Sequence, residues 1–322
     1  MRPRCSILIL NHNGSALLRQ CLPSVVTSAT AASVSPRVVV VDNHSTDDSL
    51  DFVTRAFPKV KVIALAANRF LFAYNDVVRQ CDDDYVVLLN NDVVVEKDWL
   101  EPLLTHLGDP VVFAVTPKVM RWRDGKSAEL ETCGWTPRVA HGLILGDTAD
   151  TDRPRLNFYA HGGCSAYARA KFLALGGFDD LFIPGYYEDT DLSYRAWKRG
   201  WRCIVEPRAR VYHMGAATAN RVLGSRAAAI KRRNQLWFHW KNVTDRDLLA
   251  RHFLWLPVRM LGNAGRGNLA PLRGLMLALA ELPQVRQRRA RAGGGERLSD
   301  REVLAMVKAD WRENSAPPDR AQ

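Results

Sequence analysis

A chain of 322 residues is long enough to bury a large core and too long for one minimal domain. Its 47% apolar and 25% charged residues exclude general disorder, and no apolar run approaches the roughly 20 residues that a membrane-crossing helix needs. The net charge of +11 is confined to one end: residues 1–220 carry 25 Lys+Arg and 25 Asp+Glu, whereas residues 221–322 carry 20 and 9. A neutral body with a basic tail argues against a nucleic-acid partner and for docking of the tail on an anionic surface.

The N-terminal MRPRCSILIL enters a β-like run at once. It lacks the longer apolar core and cleavage site of a signal peptide, so the expected location is the cytoplasm. Six scattered cysteines without a CxxC pair read as free thiols there. Strands are expected at Ser6–Leu10, Arg37–Val41, Lys59–Leu65 and Tyr85–Leu89, with helices at Ala16–Ser28, Asp47–Phe57 and Phe72–Cys81 between them. Ser45 and Asp48 form a relative of the capping box ahead of the second helix. Runs such as VVVV and YVVLL are apolar on both faces, as a sheet covered on both sides requires. The alternation predicts an α/β fold built on a mostly parallel, doubly wound sheet. Residues 110–220 are less regular, with strands at Val111–Val115 and Arg202–Val205 and a helix at Asp189–Lys198. A long helical pattern rich in Arg, Trp and Phe fills 221–260. Gly262–Asn268 and Ala292–Gly295 are glycine-rich breaks, and Ser299–Trp311 is a short helix with Ser299 and Glu302 in capping-box positions.

Open α/β sheets bind ligands beyond the carboxyl ends of their strands. The first strand ends in Asn11-His12-Asn13-Gly14, the second in Asp42-Asn43-His44-Ser45-Thr46-Asp47 and the fourth in Asn90-Asn91-Asp92. Neither the GxGxxG dinucleotide fingerprint nor a P-loop is present. Asp42 suits a hydrogen bond to a nucleoside and equally an Asx turn that caps the next helix. Asn90-Asn91-Asp92 is as good a turn as a cation site, in which one or two protein oxygens leave the remaining coordination to nucleotide phosphates. Asp82-Asp83-Asp84 lies at the opposite end of the sheet and reads as a solvated turn. The densest constellation runs from Gly176-Gly177-Phe178-Asp179-Asp180 to Tyr186-Tyr187-Glu188-Asp189-Thr190-Asp191 and Arg195. Three carboxylates within four residues at a helix start fit either the helix dipole or a general base whose pKa its neighbours raise.

In this order and spacing, ILILNHNG, VVVVDNHSTDDSL, Asn68 with Asn75, YVVLLNNDVVV, HGGCSAYARAKFLALGGFDD, YYEDTDLSYRAWKRGW and VYHMG resemble the family 2 glycosyltransferases of GT-A fold over about residues 5–243. The GGFDD and YEDTDL segments are most similar to a bacterial branch that includes rhamnosyltransferases and galactofuranosyltransferases of cell-surface polysaccharide assembly. The resemblance implies a catalytic domain over 1–243 and a basic amphipathic tail over 244–322. It implies an inverting, metal-dependent transfer from a dTDP- or UDP-sugar to a hydroxyl of a glycan or a polyprenyl-diphosphate-linked acceptor. By position, Asp42 would contact the base, while Asn11, Asn13, Asn43, Ser45, Asn68, Asn75, Asn91, Gly162 and Gly163 would line the nucleotide-sugar site. Asn90 and Asp92 occupy the ends of the family's Asp-x-Asp triplet and would hold Mg²⁺ or Mn²⁺, with His213 beside it. Asp189 matches the catalytic base, with Glu188 and Asp191 orienting it or the acceptor. Two departures are visible: Asn90 replaces the first carboxylate, and Phe70 stands where the family's Asn-x-Gly-Phe-Ala pattern has Gly, which would reshape the donor pocket.

Beyond residue 243, Leu248, Leu249, Phe253, Leu254 and Trp255 are interleaved with Arg251 and Arg259, and a second apolar run at Leu269–Leu282 precedes Arg286, Arg288, Arg289 and Arg291. Such segments describe interfacial helices on an anionic leaflet, or faces packed on the catalytic domain or on a second subunit. The charge split favours the membrane, placing the protein peripherally on the cytoplasmic face of the inner membrane. The rival from another class is a non-catalytic basic module. A nucleotidyltransferase would show a Gly-rich basic loop after the first strand, and Asn11–Leu18 has none.

Overall fold

The computed structural model describes residues 3–123, 126–215, 224–292 and 295–313. Residues 221–223 and residues 293 and 294, which belong to two of the expected segments above, lie outside them.

The four β-branched runs form β1 (Cys5–Asn11), β2 (Arg37–Asp42), β3 (Lys61–Ala64) and β4 (Tyr85–Asn90), paired in parallel in the order β4-β1-β2-β3. Between them run α1 (Ser15–Ala31), α2 (Ser49–Ala56) and α3 (Ala73–Gln80). Side chains alternate across a strand, so Leu8, Val39, Val41 and Leu88 join one buried cluster while Ile7, Ile9, Val40 and Leu89 join another on the opposite face. Both faces are covered, which is why these strands read as continuous apolar runs. In register, Asn11 lies beside Asp42 and Leu10 beside Asn90. Three polar strand ends therefore meet at one edge.

On the other side of β4 the sheet continues through β11 (Cys164–Ala168), β6 (Val112–Arg123), β12 (Arg202–His213) and β10 (Arg155–Leu156). Here β6 and β12 are parallel, but β11 runs antiparallel to both β4 and β6, and β5 (Val93–Val95) and β7 (Lys126–Thr132) also pair antiparallel. The parallel character thus belongs to the first ninety residues and the mixed character to the middle. Both long strands run well beyond the short segments expected from the sequence, because register slips such as that between Glu206 and Arg210 interrupt the alternation that marks a strand. The hairpin of β8 (Gly134–Ala140) and β9 (Leu143–Ala149) carries no clean alternation and was not expected.

Local expectations fare differently. Ser45 does not cap α2; its Oγ accepts from the Asn13 amide and the Asn11 side chain, and Asp47 meets the Ser49 amide instead. At the other end of the chain the capping box holds: Glu302 accepts from the Ser299 amide at 2.7 Å and Ser299 Oγ accepts from the Glu302 amide at 3.3 Å, opening the helix Asp300–Glu313. Asp82 and Asp84 are exposed, as a solvated turn requires, but Asp83 is not. Asp83 is buried, accepting from Ser6 Oγ and Arg37, while Arg4 bonds Asp82 and Asp84, so the triplet ties the N-terminal strands together.

With α4 (Leu100–Leu107), α5 (Arg169–Ala174) and α6 (Glu188–Lys198) in the body, the long pattern at 221–260 divides into α7 (Ala227–Asn242) and α8 (Arg246–Ala264), followed by α9 (Ala270–Ala280), α10 (Leu282–Ala292) and α11 (Asp300–Glu313). These helices are stitched to the body: Leu248, Ala278, Val285, Val303 and Val307 join the same buried cluster as Leu8 and Trp197. Asp300, wholly buried, accepts from Tyr194 and Lys198 of α6 and from the Thr244 and Asp245 amides.

His239 of α7 and His252 of α8 stack face to face in this packing, with ring centroids 5.7 Å apart. His239 Nε2 accepts from the Ile144 amide of the hairpin. Burial lowers His239 from 6.5 to about 4 and His252 to about 3, the latter helped by its neighbour. A group whose folded pKa is depressed stays neutral where the unfolded chain is already protonated. Stability is therefore expected to fall as pH drops from about 6.5 to 4, by roughly 3 kcal/mol for His239 alone. Urea unfolding followed by tryptophan emission across that range checks this, and His239→Leu should flatten the slope even though it lowers stability at neutral pH.

Candidate active site

The edge formed by the strand ends is cross-linked by side-chain amides. Asn11, buried at the end of β1, donates to Asp42 Oδ1 at 3.3 Å and Ser45 Oγ at 3.1 Å, and accepts from Asn91 Nδ2 at 2.7 Å. Asp42 Oδ2 accepts from the Ser45 amide, which is the Asx-type turn. Asn13, in the left-handed region with φ 49°, accepts from the Thr46 amide. Gly14 is required here, since a Cβ would overlap the Asn91 side chain. Asn43 reaches the next loop: its amide donates to Asn68 Oδ1 at 2.9 Å and the Phe70 carbonyl at 3.0 Å, and accepts from the Arg69 amide. These bonds hold Phe70 at φ 53°, a conformation natural to the Gly that the family pattern has there and strained for a bulky side chain. Asn75 does not join the cluster: both its amide atoms are taken by the Phe178 main chain, at 2.8 and 2.9 Å.

Asn90, Asn91 and Asp92 turn the chain from β4 into β5. Asp92 Oδ2 lies 3.3 Å from His213 Nε2, and Glu131 of β7 holds His213 Nδ1 at 2.9 Å. The two carboxylates, Asp92 first, push His213 up to about 10, while the imidazole holds Glu131 below its usual range. Glu131 was not among the residues expected; it arrives on a strand whose pairing with β6 only the fold supplies. Asp92 Oδ1 is buried without a hydrogen-bond partner. An orphaned carboxylate oxygen is a hard donor suited to Mg²⁺ or Mn²⁺, and His213 Nε2 would join it only on giving up the proton that the two carboxylates hold there. Among the described residues no group of three such ligands converges, so phosphate and water oxygens would complete the coordination.

The His161-Gly162-Gly163 turn joins this half of the site to the acidic helix. The Gly163 carbonyl accepts from the Asn90 amide at 2.7 Å, and the Gly162 amide donates to Asp189 Oδ2 at 3.4 Å. A Cβ on Gly163 would overlap the Asn90 side chain, whereas one on Gly162 would lie 3.2 Å from Leu71 and 3.4 Å from Asp189 Cβ. Gly163→Ala is therefore expected to lower the activity of the site at least about tenfold by displacing Asn90, and Gly162→Ala only a few-fold. Initial rates of the two variants, beside their melting temperatures, check the contrast.

At the start of α6 the three carboxylates separate. Asp191 is fully buried and neutralised: Arg195 Nε lies at 2.8 Å, Lys241 Nζ at 2.6 Å and Asn242 Nδ2 at 2.8 Å. Burial would raise its carboxyl, but Lys241 and Arg195 hold it below the ordinary range. Glu188 is buried with one oxygen unpartnered, and burial, then Asp189, pushes it well above the usual carboxylate range. Asp189 alone is half-exposed, held by the Thr190 amide at 2.6 Å and by Gly162. Tyr186 and Tyr187 both have φ 72°, a strained approach to the helix. Asn234 of α7 secures it, donating to the carbonyls of Gly185 at 2.8 Å and Tyr186 at 2.9 Å. No local pattern marks Asn234 for that role. The conspicuous GGFDD segment proves structural in its contacts: Asp179 pairs with Lys241, and Arg195 donates to the Leu175 and Gly177 carbonyls.

Comparison with known proteins identifies the family and the fold. Residues 6–175, more than half of the chain, match the profile of Glycosyl transferase family 2. A pre-mycofactocin glycosyltransferase of Mycobacterium tuberculosis is 29% identical over 223 residues, 64% of this chain and 42% of the relative, so the chain spans less than half the length of that protein. The N-acetylglucosaminyl-diphospho-decaprenol L-rhamnosyltransferase of the same organism is 27% identical over 281 residues, 78% of this chain and 86% of the relative. In fold, the chain is similar to GalNAc-T7 crystallised with UDP, GalNAc and Mn²⁺ (TM-score 0.62, 16% identity, 97% of this chain and 58% of that one). It is also similar to the mannosyltransferase PcManGT of Pyrobaculum calidifontis in complex with GDP-Man and Mn²⁺ (TM-score 0.54, 21% identity, 98% and 88%). The polar strand ends, the turn at 161–163 and the acidic helix thus sit on a GT-A fold, and the chain belongs to glycosyl transferase family 2.

Proposed function

We propose that the protein transfers a sugar, with inversion, from a dTDP- or UDP-sugar to a hydroxyl of a glycan or of a polyprenyl-diphosphate-linked glycan in cell-surface polysaccharide assembly. The observation that carries this reading is the separation of the three carboxylates on α6: Asp191 is bound up in buried ion pairs, Glu188 is buried with its carboxyl held well above the usual range, and Asp189 alone is half-exposed. Residues 1–243 hold all the candidate groups, and 244–322 brace them.

In this reading Asp42 and Asn13 hold the nucleoside, Asn11 acts only through them because its side-chain amide is committed to Asp42, Ser45 and Asn91, and the turn at 161–163 carries the donor sugar between Asn90 and Asp189. Asp189 accepts the proton of the acceptor hydroxyl as its oxygen attacks the anomeric carbon from the face opposite the leaving diphosphate. Asp191 acts through the helix, fixing where Asp189 points, and not on the acceptor. Asp92 and His213, with Asn90 nearby, would hold a divalent cation that neutralises charge on the departing nucleoside diphosphate. Glu131 orients His213 from its far nitrogen, as outer partners of metal-bound imidazoles do.

A panel of dTDP-, UDP- and GDP-sugars, read by nucleotide release with and without acceptor, tests the reaction and names the donor. No release from any donor would leave a non-catalytic module as the better reading. Asp92→Ala is expected to weaken nucleotide binding about tenfold or more in Mn²⁺ and little in EDTA. Equal affinity of both proteins for the nucleotide in Mn²⁺, measured by calorimetry, would remove the cation from this site.

A further inference from the structure

We infer that the outward faces of α8 and α9 dock on an anionic lipid bilayer, lying in its interface without crossing it. On α8 only Leu248 and His252 are buried. Phe253, Leu254, Val258 and Leu261 are exposed, Leu254 by 74% and Leu261 by 73%, and Met276 of α9 is exposed by 65%. Spacings of one, four, five and eight residues place the four α8 side chains on one side of the helix. The inward side of α9 is committed elsewhere: Gly274 is packed on Ala229 and Arg232 of α7, and the Ala278 carbonyl accepts from Trp237 Nε1 at 3.2 Å. The apolar side therefore faces out because the other side is already packed. Patches of this kind mark an interaction surface.

Charge selects the occupant. From Leu248 to Ala280 the sequence holds not one Asp or Glu; Arg259 turns inward onto His252, while Arg251, Arg266 and Arg273 are exposed. A second copy of the chain seated through this face would set those arginines against their own counterparts, because a two-fold contact pairs a surface with itself. An anionic leaflet offers phosphates to the arginines and acyl chains to Leu254, Leu261 and Met276. Among the described residues no helix is long and apolar enough to span, which leaves the interfacial position.

The docking stands independently of the transfer reading, but it deepens it. Helix α7 touches both ends: it packs under α9, and its Asn234, Lys241 and Asn242 hold the approach to α6 and Asp191. A bilayer against α8 and α9 is thus joined through one helix to Asp189, and an acceptor carried on a lipid diphosphate would be presented from that side.

Truncation near residue 245 is the wrong test, since Asp300 and its contacts to Tyr194 and Lys198 would go with it. The full chain should instead be sedimented with phosphatidylcholine vesicles, with and without phosphatidylglycerol. Binding is expected only with phosphatidylglycerol, and high salt should release it. Leu254→Glu with Leu261→Glu and Met276→Glu, all on exposed positions, should lower partition on the order of a hundredfold. Arg251→Gln, Arg266→Gln and Arg273→Gln should each cost about fivefold and leave the fold untouched should the first set disturb it. Nucleotide release from the donor without acceptor should be unchanged in both sets, so a failure of docking is distinguishable from a failure of the transfer reading. Equal partition of wild type and both variant sets would overturn the proposal. So would a lipid-free dimer that the glutamate set converts to monomer, since a second copy would then cover the face.

Discussion

Asp189→Asn is expected to lower transfer by about 10²–10⁴-fold, the contribution of a positioned general base. Binding of the nucleotide-sugar should stay within about twofold, because Asn keeps the shape and its single oxygen can still accept from the Thr190 amide at 2.6 Å, giving up only the longer bond from Gly162 at 3.4 Å. The substitution removes the capacity to take a proton and little else. Glu188 is a poor substitute for it, since it is buried and burial, then Asp189, holds its carboxyl well above the usual range. Calorimetric titration of the donor beside single-turnover rates separates the two quantities. A variant that keeps most of its rate would move the base elsewhere; a variant that loses donor binding in proportion would make Asp189 a donor ligand.

Asp191→Ala should produce the largest loss of stability, about 3–5 kcal/mol, because it strands two buried cations. Lys241 is 2% exposed and would keep only Asp179, and Arg195 would keep only main-chain carbonyls. Replacing both partners, Asp191→Leu with Lys241→Met, should recover part of that loss, since an apolar pair leaves fewer uncompensated buried charges. Urea unfolding gives the stabilities. Activity of the double variant at a temperature where it is fully folded then reports how much the ion pairs position Asp189.

The sequence by itself determined the parts whose signal is local. The four strand runs of the first ninety residues are apolar on both faces and form β1 to β4 within a residue or two at most ends, because a strand covered on both sides must be continuously apolar. Polar residues that stop such runs fall at the carboxyl edge, so Asn11, Asp42 and Asn90 were legible as a group before any coordinates. Capping chemistry was legible where both partners lie three residues apart, as at Ser299 and Glu302. It failed at Ser45, where Asn11 and Asn13 from another strand compete for the same hydroxyl. The tertiary structure alone decided what depends on distant partners. Asp83 is buried because Arg37 and Ser6 reach it, Asn75 is occupied because the Phe178 main chain lies against it, and Glu131 enters the site because β7 folds back on β6. The three acids of α6 are alike in sequence, and only their surroundings divide them: cations from α7 and from α6 itself claim Asp191, burial raises the carboxyl of Glu188, and Asp189 alone stays half-exposed. An ionisable group takes its role from the charges and solvent around it, and those are set by chain segments that no local pattern of residues brings together.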